Sequence, residues 1–117
     1  LRMGNPFSAP EEALTTLRCM AIASGFAQCD LAASTGIYNG EMVIKQLLAG
    51  ATAVQMVSSV YKNHAAVIGD SLSTIEGWMD KKGFDTIDKF RGRLSQKNIE
   101  NPAFFGRVQF LKHYGKM

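Results

Sequence analysis

Residues 29–61, CDLAASTGIYNGEMVIKQLLAGATAVQMVSSVY, carry the pattern of one β-α-β unit. A short apolar run, Asp30-Leu31-Ala32-Ala33-Ser34, ends in the turn Thr35-Gly36-Ile37. A helix is expected from about Asn39 to Ala49, stopped by Gly50, with Val43, Ile44, Leu47 and Leu48 on one face. A second apolar run, Ala53-Val54-Gln55-Met56-Val57, ends in Ser58-Ser59. Runs of this length, bounded by Gly and polar residues, suit strands buried on both faces, as in parallel sheets. Two parallel strands joined by a helix bring both strand ends to one edge. Small hydroxyls and backbone N–H groups converge there, beside the helix start at Asn39 to Glu41, and a phosphate is the ligand such an edge suits.

Upstream, Ser8-Ala9-Pro10-Glu11 predicts a helix start, with Ser8 as cap and Pro10 in the first turn. That helix should reach about Ser24, with Leu14, Leu17, Met20 and Ala21 inward and Gly25 as its stop. Downstream, Lys62-Asn63-His64 leads into a longer helix from about Ala65 to Lys82. Val67, Ile68, Leu72, Ile75 and Met79 recur along it at helical spacing. Gly83 ends it, after Lys81 and Lys82, which complement the C-terminal dipole. Asp85 is expected to cap a short helix that stops at Gly92, and Ser95 to Glu100 to be extended. Asn101-Pro102 opens a last helix with Phe104, Phe105, Val108 and Leu111 on one side. The resulting α-β-α-β order reads as a cut through a larger α/β array.

The 117 residues suffice for one modest core, so at most one domain is expected. The net charge of +3 is spread along the chain without the basic stripe that nucleic-acid binding uses, so no nucleic-acid partner is expected. No stretch has the length of uncharged apolar sequence that a membrane span requires, and the expected location is cytoplasmic. Cys19 and Cys29 form no CxxC pair and read as two buried free thiols of a reducing compartment. His64 and His113 each stand alone, so no metal site is expected. Asp70, Glu76, Asp80, Asp85 and Asp88 read as a solvated face, and Met20, Met42, Met56 and Met79 as core filling.

The stretch TGIYNGEMVIKQLLAGATAVQMVSSVYKN is similar to the seventh and eighth β/α units of the dihydroorotate dehydrogenase barrels, which depend on FMN. Members commonly carry a Gly-Gly turn, an Asn- or Thr-Gly-x-Asp/Glu helix start, a Leu-Leu-x-Gly-Ala helix end and a V-Q-hydrophobic-G-T strand end. Here those positions hold Thr35-Gly36, Asn39-Gly40-Glu41, Leu47-Leu48-Ala49-Gly50-Ala51 and Val54-Gln55-Met56-Val57-Ser58. The likeness continues through Trp78-Met79 and Gly83-Phe84 to Ile87-Asp88-Lys89-Phe90-Arg91-Gly92, while the tail beyond is longer than the family usually carries.

The resemblance implies an α/β fold, the C-terminal segment of a (β/α)8 TIM barrel, comprising its last two strands with flanking helices and a helical tail. Residues 1–92 would be the barrel portion, and 93–117 a tail packing on the barrel or a partner. A whole barrel takes roughly 250 residues, so its N-terminal part is the first expected partner. The resemblance further implies FMN as cofactor, with Thr35, Gly36, Val57 and Ser58 at its phosphate. It places no catalytic residue in this segment, because the family's base, flavin-contacting Lys and pyrimidine-binding Asn residues lie upstream. The intact protein would act in pyrimidine biosynthesis on a dihydropyrimidine-like molecule, and this segment alone would be inactive. Two positions depart from the family. Thr35 replaces the first glycine of its turn, and Val57 the glycine of its strand end, where glycine admits closer backbone approach.

Taken without the resemblance, Ser34, Thr35, Ser58 and Ser59 read as turn caps. Two further readings stay open. One is a non-catalytic, self-associating α/β or helical domain, since two strands alone leave edges to be paired in a homo-oligomer. The other is a barrel scaffold that has lost its flavin.

Overall fold

Asn39 stands just outside a helix, at φ −150° and ψ 171°, and its side chain accepts the Met42 N–H at 2.9 Å. This is the N-cap arrangement in which Asn satisfies one of the donors a helix start leaves unpaired. In the computed structural model, which describes residues 7–98, that helix lies at the centre of the molecule. Along the chain come α1 (Glu12–Ala23), β1 (Ala32–Ala33), α2 (Gly40–Ala49), β2 (Ala53–Val54), α3 (Ser58–Asn63) and α4 (Ala66–Lys82). Two 3₁₀ turns follow, at Ile87–Lys89 and Gln96–Asn98.

The β-α-β reading holds. β1 and β2 pair in parallel, Ala32 with Ala53 and Ala33 with Val54, and α2 is the crossover between them. The expected strand runs shorten to two residues each, and the expectation of burial on both faces fails. Ala33 is buried, but Ala32 and Ala53 are exposed and Val54 is half-buried. The physical reason is the number of layers. A strand becomes apolar on both faces only when helices or neighbouring strands cover both, and among the described residues this sheet has two strands.

Helix α2 buries more than its apolar face. Val43, Ile44, Leu47 and Leu48 join Leu17, Met20 and Ala21 of α1, Ile37, Ile75 of α4 and Phe90 in one core. Lys45 and Gln46 are buried as well, because α1 and α4 flank α2 on both sides. Lys45 reaches Glu41 at 3.4 Å, one turn back. The approach of α4 is close at Gly40, where a Cβ would lie 2.7 Å from Thr74 Cβ and 2.8 Å from the Ser71 carbonyl oxygen.

The C-terminus of α2 shows where a helix's last carbonyls find donors. Gly50, left-handed at φ 119°, closes the helix as the sequence predicts, its N–H donating to the Leu47 carbonyl. The Gln46 carbonyl accepts the Ala51 N–H, and the Leu47 carbonyl also accepts the Gly92 N–H. The Leu48 carbonyl accepts from the Leu94 N–H at 2.8 Å, and the Ala49 carbonyl from the Ser24 hydroxyl at 2.6 Å. Segment 90–95 is thus tied to the end of α2 through hydrogen bonds that no local sequence pattern announces.

Several expectations are corrected. Helix α1 begins at Glu12, and Ser8 does not cap it; the Glu12 carboxylate instead accepts the Ala9 N–H. At its other end Ser24 is right-handed, and Gly25 is not a left-handed stop. Ser58 and Ser59 do not end a strand but begin the six-residue α3, buried against Tyr38 and Ser8 rather than left in a turn. Asp85 caps no helix: it pairs with Lys89 at 2.7 Å, and Thr86 precedes the 3₁₀ turn. Residues 96–98 form a further 3₁₀ turn where extended chain was expected. Cys19 and Cys29 are exposed rather than buried, Cys19 lying within α1 and Cys29 just before β1. Helix α4 ends at the left-handed Gly83 as expected, yet Ile68 and Leu72 of its stripe are 47% and 56% exposed. The helix expected from Asn101 and most of the tail lie outside the described residues.

Candidate functional site

At the C-terminal ends of β1 and β2 the chain turns sharply. Thr35 and Gly36 both take positive φ, 84° and 77°. For Gly36 this conformation is free of side-chain conflict and also necessary, since a Cβ there would fall against the Ala13 nitrogen and 2.9 Å from the Ala9 carbonyl oxygen. The first turn of α1 therefore rests directly on the Gly36 backbone. Thr35 holds its positive φ as a β-branched residue, which costs of order 1–3 kcal/mol relative to an ordinary conformation.

Between the two turns lies a cavity of about 180 Å³ lined by Ser8, Ser34, Thr35, Gly36, Ile37, Gln55, Val57 and Ser58. The four residues singled out from the sequence, Thr35, Gly36, Val57 and Ser58, thus border one space. Ser58 is buried, whereas Val57 is 71% exposed. Among the described residues, none of the lining side chains is charged, and the hydroxyls of Ser8, Ser34, Thr35 and Ser58 border the space.

Ser8, read from the sequence only as a helix cap, joins the two sides. Its hydroxyl accepts the Gly36 N–H at 3.0 Å and donates to Ser58 Oγ at 3.3 Å. Its backbone N–H donates to the same Ser58 oxygen at 3.0 Å, and its carbonyl accepts the Tyr38 hydroxyl at 2.6 Å. Ser59 donates to the Tyr38 carbonyl at 3.0 Å, fixing α3 against the same turn. Ser58 Oγ accepts two hydrogen bonds in this arrangement, and Ser58 also lines the cavity. The signal for Ser8 was absent from the sequence because its partners lie 28 and 50 residues away.

The N-terminus of α2 does not face this cavity. Asn39, Glu41 and Met42 line a separate space of about 180 Å³, which Gly36 also borders, together with Pro10, Tyr38 and Lys45. Asn39 caps its own helix there, and Glu41 brings an acid to that end. Lys62 sits over the rings of Tyr38 and Phe7 at 5.6 and 5.8 Å, and Tyr61 packs on Phe7 at 4.8 Å. Among the described residues no group of three His, Cys, Asp or Glu side chains is placed to hold a metal. No helix among them is long and apolar enough to cross a membrane.

No family model matches the chain. Among curated proteins, it is 35% identical over 60 residues to a dihydroorotate dehydrogenase (fumarate) of Lachancea kluyveri. It is 36% identical over 59 residues to dihydroorotate dehydrogenase A (fumarate) of Lactococcus lactis, and 32% identical over 59 to a dihydroorotate dehydrogenase (fumarate) of Trypanosoma brucei brucei. Each match takes in about half of this chain, 50–51%, and spans 19% of the relative's length. Over half its length, this chain is similar to a segment of the fumarate-type dihydroorotate dehydrogenases.

Proposed function

We propose that the chain is the C-terminal barrel segment of an FMN-dependent oxidoreductase of the dihydroorotate dehydrogenase type, and that it supplies part of the FMN-phosphate site. The observation that carries this reading is the cavity at the paired strand ends, which Thr35 and Gly36 border from one turn and Ser58, tied to Ser8, from the other. Donor groups at adjacent strand ends of an α/β fold are a recurrent setting for phosphate. Thr35 and Gly36 bring the backbone of one turn to the cavity, Ser58 brings a hydroxyl from the other, and Val57 borders it from outside. Ser8 positions both turns. Bound FMN would supply the redox chemistry, with dihydroorotate or a related dihydropyrimidine as the reductant.

The residues described here bind and orient; they do not move protons. Among the described residues the cavity is lined by no acid, base or thiol, and the chain alone should show no turnover of dihydroorotate. In the protein carrying the rest of the barrel, FMN should bind near one equivalent and give flavin absorption bands. Ser58→Ala should weaken FMN about tenfold, the usual effect of removing a hydrogen bond to a charged group, and leave riboflavin unchanged. A folded protein that stays colourless in excess FMN would overturn this reading and leave a scaffold without flavin.

A second reading has its own observation. Val57, Tyr61, Ile68 and Leu72 are all exposed by 47% or more on α3, α4 and the turn before them, which suits a self-associating, non-catalytic domain. Sedimentation of the chain over a range of concentrations tests it: a monomer throughout removes that reading.

A further inference from the structure

On the far side of α2 from its packing with α1, the groove between α2 and α4 deepens into a pocket of about 370 Å³. Leu48, Trp78, Phe84 and Leu94 form its apolar wall. That wall is a braced aromatic cluster. Trp78 stacks on Phe84 at 5.7 Å, and both rings pack on Phe90, at 4.9 and 5.4 Å, which is fully buried behind them. Among the described residues the rim is cationic: Lys45, Lys82 and Arg93 line the pocket with one acid, Glu41, which is paired with Lys45. Among the described residues neither Lys82 nor Arg93 makes an ion pair. Arg93 is held in place by its Nε, which donates to the Lys89 carbonyl at 3.0 Å, and by the Phe84 ring beneath its guanidinium at 4.8 Å.

We infer that this pocket binds a small amphipathic anion: an acyl or aryl chain lying on Trp78 and Phe84, with a carboxylate at Lys82 and Arg93. Its volume lies within the usual range for small-molecule sites, and the combination of an apolar wall with a few convergent polar groups is their usual make-up. The charge at the rim selects among occupants. Residues 99–117 of this chain carry Arg107, Lys112 and Lys116 against Glu100, so their charge opposes that of Lys82 and Arg93. A carboxylate complements it, and a planar guanidinium is well suited to pair with one.

Trp78 is the single tryptophan of the chain, so its emission reports on this pocket directly. The test titrates the full chain with decanoate, decanol and decyltrimethylammonium, each below its micelle concentration. Decanoate should change Trp78 emission saturably and bind about tenfold more tightly than decanol, as expected for two cations at a partly solvated rim. Its affinity should fall about three- to fivefold in Lys82→Gln, recover in Lys82→Arg, and weaken as salt is raised. Lys82 is exposed at the last turn of α4, so these variants should keep the far-UV spectrum of the parent chain. The inference is overturned if decanol or the quaternary amine binds as tightly as decanoate, or if Lys82→Gln has no effect. It is equally overturned if no ligand gives a saturable change, the result expected when residues 99–117 or a second copy of the chain already fill the pocket.

Discussion

Helices α2 and α4 are close in amphipathic pattern and opposite in environment. Of the ten residues of α2, eight are buried, Lys45 and Gln46 among them; of the seventeen of α4, only Ser71 and Ile75 are. Both sequences show apolar residues at helical spacing, so the pattern alone does not separate them. What separates them is the number of neighbours. Helix α2 has α1 on one side, α4 on the other and the strands beneath, whereas the main helical contacts of α4 are with α2 and the short α3. Among the described residues, Ile68 and Leu72 of α4 stay exposed.

This contrast can be broken by mutation, and the largest effect should come from the core. Leu47→Ala in α2 should cost about 2–5 kcal/mol in denaturant unfolding, as a buried leucine does when truncated. Leu72→Ala in α4 should change the chain's stability by no more than about 0.5 kcal/mol. A loss at Leu72 comparable to that at Leu47 would show that α4 is covered in solution.

Glycines sharpen the same comparison. Gly40→Ala puts a Cβ into Ser71 and Thr74 and should destabilise by about 1–3 kcal/mol through overpacking at the α2–α4 contact. Gly77→Ala meets nothing within 4 Å and should stabilise by roughly 0.5–1 kcal/mol, because alanine loses less freedom than glycine in a helix interior. Opposite signs in one melting series are the expected result; matching signs would mean that the two helices do not meet at Gly40.

At the strand-end turn, Thr35→Gly should raise stability by about 1 kcal/mol, the relief at φ 84° outweighing the entropy that glycine adds to the unfolded chain. A loss there would show that the Thr35 side chain makes contacts that offset its strain. A small effect is also expected at the rim of α2. Glu41→Gln should cost under about 1 kcal/mol, since Glu41 is mostly exposed although its partner Lys45 is not.

The elements of strongest local signal were legible in the sequence. A helix start at Asn39, the stops at Gly50 and Gly83, and the parallel β-α-β order all follow from residue chemistry within one or two turns of chain. The start of α1 was misread for an equally local reason. Ser8 is able to cap a helix, but a hydroxyl takes whichever partner the fold brings, and here that is the Gly36 N–H and Ser58 Oγ. The exposure of Cys19, Ile68 and Leu72 was not legible either, because periodicity names a face without saying what covers it.

The sequence by itself determined the parallel unit at residues 29–61, its helix ends and the pairing of Thr35-Gly36 with Val57-Ser58 at one edge, since these rest on backbone propensity and connection rules acting over short spans. Only the tertiary structure decided that Ser8 bridges the two turns and that Asn39 and Glu41 border a second space beside Gly36. It also decided that segment 90–95 closes the end of α2 and that Arg93 lies over Phe84. Each of these depends on which distant donor reaches an unpaired acceptor, or which ring lies under a cation, once the helices have packed, and that is settled by the geometry of the assembled core.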